Sequence, residues 1–528
     1  MTDLRDRLAH RRTQTAAAHP RCAALVLSIC LCSGTWLGPV QGAVDAGSAT
    51  AEEVDLRGRG PTRIGACEAT AKASSRLQFS LAHFNDLHAR YSDRLLGHSR
   101  YAYLAGLLAQ LKAQRPQTLI LDAGDDYEKG AIADLRSQGE ATRRVLAALP
   151  IDVRTIGNHD FAYGEAALLR DVQNSRHPVL AANLRHLQRS DTDQPFLPAV
   201  RLDVGCLRVG VIGLVTQGYG AEDRRTPDAY AQTFVHDDRY VDVLRRHAQR
   251  LRPAVDVLIA LTHVGHSEDV RLAEQVDEVD IVVGAHTNDL LRKPLVFSHS
   301  GGRQTWVLRA GHDATSLGLG DVRFDPATKS VRIEGYKIVA INETLPVLPA
   351  LTALVAEEER RVAPDTHVPL IRVSTPIPRR RMPALIFAAA QAQWQVDALI
   401  VGRDVFFAGL PAGRLTLQQL YEPVRVQRQP SGTPGLSSLW QLSLRGEELM
   451  RLHKQARSDT DYAVFLPSPP LDPQRSYRLA IEKRLLLHPD RLFKSRSSLP
   501  SAQLRGELID VLEAYARARD AAGSPLSE

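Results

Sequence analysis

Cysteine is scarce in this 528-residue chain: there are five, and Cys22, Cys30 and Cys32 share one apolar stretch near the N-terminus. Only Cys67 and Cys206 remain, so at most one bridge can form outside that stretch, and only in an oxidising compartment. Cys206 sits in the apolar text GCLRVGVIGL, where a buried free thiol is the default. Charge of one sign is also lacking. The net charge is +6, of which residues 1–42 alone carry +3, so the rest gives no reason to expect a nucleic-acid polymer as a partner. Beyond Cys22–Val40 (CAALVLSICLCSGTWLGPV) no run is long and apolar enough to cross a membrane, so the mature chain holds no integral membrane domain. Internal repeats and long low-complexity tracts are absent. Hydrophobic residues at 44% and charged residues at 24% describe an ordinary soluble globular protein, too long for one domain.

The basic residues Arg11, Arg12 and Arg21 precede the apolar run, and Gln41, Gly42 and Ala43 offer a cleavage site. This is the pattern of an export signal over 1–42, placing the mature protein in the periplasm or outside the cell. An uncleaved N-terminal anchor is the alternative, weakened by Gly34, Gly38 and Pro39. Residues 43–75, small, polar and without period, read as a flexible tail. From 77 onward apolar β-rich runs alternate with helical stretches, such as 100–113, 137–148, 237–251 and 268–276. That alternation predicts an α/β layered domain with buried strands. Its last two strands, near 317–324 and 331–341, alternate more and look antiparallel. Residues 346–361 predict a connecting helix, 427–438 a surface loop, and 384–528 a second α/β unit.

Metal-capable residues fall again and again just after an apolar run: Asp86 and His88, Asp125, Asn158 and His159, His263, then His286 and Asn288. Asp86 and His88 are two apart and would point the same way on an extended backbone. In a layered sheet, strand C-termini converge on one edge, where ligand sites form. A lone histidine at a strand end is usually structural; a series of such ends is not so easily explained. His263-x-x-His266 is a rival ligand pair, while His98, His299 and His312 have no motif support.

The order DxH, GD, GNHD, H, GxHx resembles the calcineurin-like metallophosphoesterases. The texts HFNDLHARY, LILDAGDDYEKG, IGNHDFAYG, VDIVVGAHTND and AGHDATSLGLGDV are similar to the 5′-nucleotidase branch, which includes cyclic-nucleotide phosphodiesterases and sulfur-oxidation thiosulfohydrolases. The resemblance covers about 80–345. It implies a four-layer α-β-β-α domain over 76–345, a linker over 346–372 and a smaller, divergent α/β substrate domain over 373–528. It also implies two divalent metal ions. Asp86, His88, Asp125 and Asn288 would hold one; Asp125, Asn158, His263 and His286 would hold the other. Carboxylate, imidazole and amide oxygen without thiolate suit Mn, Zn, Fe or Co. His159 would be catalytic, stabilising the transition state and protonating the leaving oxygen.

Two departures from the branch stand out in the first domain. Its GNH motif continues Glu-Phe-Asp, and that Asp orients the catalytic His; here Ala162 takes its place, leaving Asp126 or another carboxylate to do so. Asn288 stands where many relatives carry His. In the C-terminal unit Pro411-Ala412-Gly413 keeps a family turn, but the expected Arg falls on Phe407 and the paired glycines on Arg403 and Asp404. Phe406 and Phe407 could line a pocket or belong to the core. The implied function is an exported, 5′-nucleotidase-like hydrolase of small-molecule phosphate esters, nucleotides among them, with altered substrate loops. A thiosulfohydrolase-type enzyme and a catalytically weak binding or scaffold protein are the alternatives. Substrate contacts and oligomeric state are not assigned.

Overall fold

The computed structural model describes residues 63–67, 77–216, 233–424, 437–456, 462–466, 471–487 and 501–527. The expected signal segment, most of the expected tail and nearly all of the 427–438 loop lie outside these residues. No described helix is long and apolar enough to cross a membrane.

Two sheets lie face to face. One has the order Ser330–Ala340, Ser316–Asp325, Leu77–Phe84, Thr118–Asp122, Val153–Thr155, Val179–Leu180. Its last four strands are parallel and its first two antiparallel, the polarity that their alternation predicts. The other runs Arg63–Ile64, Ala199–Val204, Leu207–Val215, Val257–His263, Ile281–Gly284, Gln304–Leu308, Leu295–Ser298. Its strands from Leu207–Val215 to Gln304–Leu308 are parallel.

The apolar runs are continuous because both faces of each strand are buried. Phe79, Leu81, Leu119 and Leu121 meet Val209, Val211, Ile259 and Ile281 between the sheets. Alternate residues turn outward: Ile212, Leu214 and Val282 pack on the helices Tyr240–Leu251 and His266–Gln275. Ala82, Phe84 and Ile120 pack with Leu104 and Leu108 of the helix Arg100–Gln114. The result is the four-layer α-β-β-α arrangement, followed by a C-terminal α/β region built on a five-stranded sheet.

Cys206 lies in the turn between Ala199–Val204 and Leu207–Val215 and is bonded to Cys67. This corrects the free-thiol default: the buried strand begins one residue later, which leaves the cysteine half-buried in the turn rather than in the core. Residues 63–67, inside the segment expected as a tail, are held there, with Arg63–Ile64 pairing Ala199–Val204.

The connecting helix spans Pro349–Val362 and is part of the core rather than a free linker. Leu351 and Val355 share one cluster with Leu104, Ile132, Ile386, Leu417 and Leu512, so the first domain and the C-terminal region are packed as one body. At Gly106 the helix Arg100–Gln114 passes so close to the start of this segment that a Cβ would sit 2.0 Å from the Pro346 carbonyl oxygen. Gly106→Ala is expected to destabilise the fold by about 1–3 kcal/mol through this overpacking, read as a lower midpoint in denaturant unfolding.

Candidate metal centre

The strands Leu77–Phe84, Thr118–Asp122, Val153–Thr155, Val257–His263 and Ile281–Gly284 all deliver their C-terminal loops to one edge. The first two loops are zipped together by backbone bonds beyond the sheet. Ala123 N–H donates to the Phe84 carbonyl (3.0 Å), Asp86 N–H to Gly124 (2.8 Å), His88 N–H to Asp125 (2.9 Å) and Ala89 N–H to Asp126 (2.7 Å). Asp86 and His88 do converge, but not by strand alternation: both have left-handed backbones, with φ of 52° and 48°. Asp125 (63°) and His286 (85°) share that conformation. Each such residue costs on the order of 1–3 kcal/mol, a strain that concentrates at functional sites.

Two groups could each hold a metal ion. His88, Asp125 and His159 offer ligand atoms within 4.8 Å of one another, and so do Asp125, His263 and His286. Asp125 belongs to both. Its Oδ1 accepts the His159 N–H (2.7 Å), and its Oδ2 lies 3.0 Å from His263 Nε2. Asn158 Oδ1 is 2.9 Å from His286 Nδ1. Asp86 Oδ2 accepts the His286 N–H (3.2 Å), and its Oδ1 is 3.7 Å from His88 Nε2. Asp86 Oδ1 and His88 Nδ1 are buried with no hydrogen-bond partner. Leaving such atoms unpaired costs about 1–3 kcal/mol each, and the orphaned Asp86 oxygen, 3.7 Å from His88 Nε2, fits a bound cation. The donor set, oxygen and imidazole nitrogen only, agrees.

The electrostatics follow from burial and crowding. Burial holds the imidazoles of His88 and His159 well below the usual histidine range, with Lys129 adding to the effect. Burial, with the charge on His263, brings His286 to about 3. Burial also raises Asp86 to about 6. At His263 burial opposes the cation, but Asp125 and then Asp86 outweigh it and lift the group to about 9.

A buried cation supports each half of the site. Arg154, 1% exposed, lies 2.9 Å from Asp126, 2.8 Å from Asp171 and against Asp160. Asp160 Oδ2 in turn accepts the N–H groups of Asp125 and Gly157, both at 2.9 Å. Arg309 is paired with Asp269, and donates to the Ala285 carbonyl (2.6 Å) and the Thr287 hydroxyl (2.7 Å), fixing the loop that carries His286. Gly157 and Gly284 let these parts close up. A Cβ would lie 2.1 Å from Asp125 Oδ1 at the first and 1.8 Å from Asp269 Oδ2 at the second.

Asp86, His88, Asp125, Asn158, His159, His263 and His286 thus share one site. Asn288 differs: it is exposed, at φ 62°, and makes no hydrogen bond to this group. His266 heads a helix and lies 3.6 Å from Asp289, not beside His263 as a ligand partner. His312 pairs with Asp313, whose N–H donates to the Asp86 carbonyl (2.8 Å). His98 and His299 bond to Thr352 and Thr305 instead. Asp126, weighed as a partner for His159, faces Arg154. Two residues beyond it, Glu128 Oε2 bonds His159 Nδ1, and Lys129 Nζ lies 3.3 Å from His88 Nε2. Neither was singled out by sequence, although both stand in the quoted text GDDYEKG. Phe406 is core, whereas Phe407 is 42% exposed.

Residues 79–289 match the family described as calcineurin-like phosphoesterase. The chain is 31% identical over 299 residues to a snake venom 5′-nucleotidase of Crotalus adamanteus, covering 52% of this chain and 50% of that protein. It spans about half the length of the curated relatives it matches. Among solved structures it is similar in fold to a 5′-nucleotidase precursor from Thermus thermophilus (TM-score 0.67, 19% identity, 84% of this chain and 96% of that one). A sulfate thiohydrolase from the same organism is similar in fold too (TM-score 0.62, 17% identity, 85% and 94%).

Asp125→Ala is expected to empty both metal positions, whereas His263→Ala lowers the content of one, as read by elemental analysis of the purified proteins. The proton that the metal-free chain keeps on His263 up to about pH 9 must leave before an ion enters. Metal affinity is therefore expected to rise about tenfold per pH unit toward that value, with proton release measurable by calorimetry in buffers of different ionisation enthalpy.

Proposed function

We propose that this chain, whose residues 79–289 match the family described as calcineurin-like phosphoesterase, is an exported, 5′-nucleotidase-like hydrolase of small-molecule phosphate esters that works with two divalent ions. One observation carries the reading: the Asp125 carboxylate is common to two clusters of potential ligands. Asp86, His88, Asp125 and Asn288 would hold one ion, and Asp125, Asn158, His263 and His286 the other. Asn288 has to turn inward to take part. Two such ions supply Lewis-acid polarisation of the ester and a nucleophile available at neutral pH.

The chain's own residues do the rest. His159 faces the Glu128 carboxylate through Nδ1, which directs Nε2 away from that loop; the carboxylate would stabilise the imidazolium formed when Nε2 picks up the proton destined for the departing oxygen. Lys129 brings a positive charge beside His88, placed to neutralise phosphoryl oxygens. Relatives named 5′-nucleotidase support a nucleotide among the substrates. Phe407, where the branch carries Arg, supports a different grip on the phosphate. The Cys67–Cys206 bond supports export, since such bridges persist in oxidising compartments.

The test is an assay of the purified chain with Mn and with Zn on p-nitrophenyl phosphate, nucleoside monophosphates and a thiosulfonate. Turnover of phosphate esters that a chelator abolishes and Mn restores is the expected outcome. Two bound ions with no ester turnover would overturn the reading, and turnover of the thiosulfonate alone would replace it.

A further inference from the structure

We propose that Glu128 is the positioning residue for His159, a histidine–carboxylate pair rebuilt from a neighbouring loop. The inference rests on the hydrolase reading and deepens it. His159 opens a short turn, His159–Phe161, and the residue that ends it, Ala162, is buried and apolar. That turn therefore supplies no acid at Ala162 to hold the ring. Asp160, within the turn, is spent on Arg154 and on two backbone N–H groups. Asp126 is likewise committed to Arg154 at 2.9 Å. Glu128 reaches across from the other loop, fully buried, and its Oε2 meets His159 Nδ1, placed to accept a hydrogen bond from it. A glutamate has the additional methylene that a reach from an adjacent loop requires.

The loop is built to hold this carboxylate in place. Glu128 has a left-handed backbone, φ 65°, a conformation that its surroundings must impose. Its N–H donates to Asp134 Oδ2 (2.9 Å), an oxygen that also receives the Tyr163 hydroxyl (2.5 Å) from just beyond Ala162. Asp134 thus ties the Glu128 loop to the His159 loop. On the far side, Gln418 of the C-terminal region donates to the Gly130 carbonyl (3.1 Å) and accepts the Ile132 N–H (3.2 Å). Fixing the ring through Nδ1 selects the tautomer and the direction of Nε2, the work that such carboxylates do in other histidine pairs.

The experiment compares wild type with Glu128→Gln, Glu128→Ala and Glu128→Ala/Ala162→Asp on p-nitrophenyl phosphate and on an alkyl phosphate, with metal content and melting temperature measured alongside. The single variants are expected to keep their metal and KM while kcat falls about 10- to 100-fold. The loss should be larger on the alkyl ester, whose leaving oxygen needs the proton more. Ala162→Asp should restore much of the kcat lost in Glu128→Ala. Wild-type kcat in Glu128→Gln would overturn the proposal, as would equal losses on both esters or a loss that follows departing metal. Absence of turnover in wild type would instead strike the hydrolase reading, so the two failures are distinguishable.

Discussion

One buried guanidinium underlies the geometry of the site. Arg154 is removed from solvent and surrounded by Asp122, Asp126, Asp160 and Asp171. A charge so buried is tolerated only when it is paired and hydrogen-bonded. Burial and the neighbouring Asp122 push Asp126 well above the usual carboxylate range, and burial brings Asp122 to about 7. Asp160 is the member that transmits the arrangement outward: anchored by Arg154, it takes the N–H groups of Asp125 and Gly157. The shared carboxylate and the Asn158–His159 turn are therefore placed by the same ion pair.

The same logic recurs in the other half of the site. Arg309 and Asp269 hold the loop that bears His286, with no side chain at Gly284 to keep them apart. Between these two fixed points several potential ligands adopt left-handed backbones. That strain persists because the surrounding packing over-determines it, through two sheets buried on both faces and loops zipped by backbone hydrogen bonds. Around Asn288 the same edge is exposed.

The C-terminal region is more than an appendage to this edge. It shares a continuous apolar core with the helices of the first domain, and Gln418 grips the loop that presents Glu128 and Lys129. Residues that in sequence read only as a divergent second domain thus help define the surroundings of His159. The departures at Ala162 and Phe407 are of different kinds. The first is met by a carboxylate from elsewhere, while the second leaves an aromatic ring in view of solvent.

The apolar runs, their spacing and the acid, amide and imidazole residues that follow them were enough to read the layered α/β fold and most of the candidate site. Burial on both faces demands continuous apolar strands, and strand ends meet at one edge whatever the loop details. Sequence could not reveal that Glu128 meets His159 across 31 positions, that Cys67 meets Cys206 across 139, or that Asp126 turns inward to Arg154. Nor could it show that Asp86 and His88 converge through left-handed turns. The sequence by itself determined which chemistry is present and at which strand ends. Tertiary structure alone decided which carboxylate faces which histidine, because those pairings depend on loop conformations that packing and buried ion pairs impose on residues far apart in the chain.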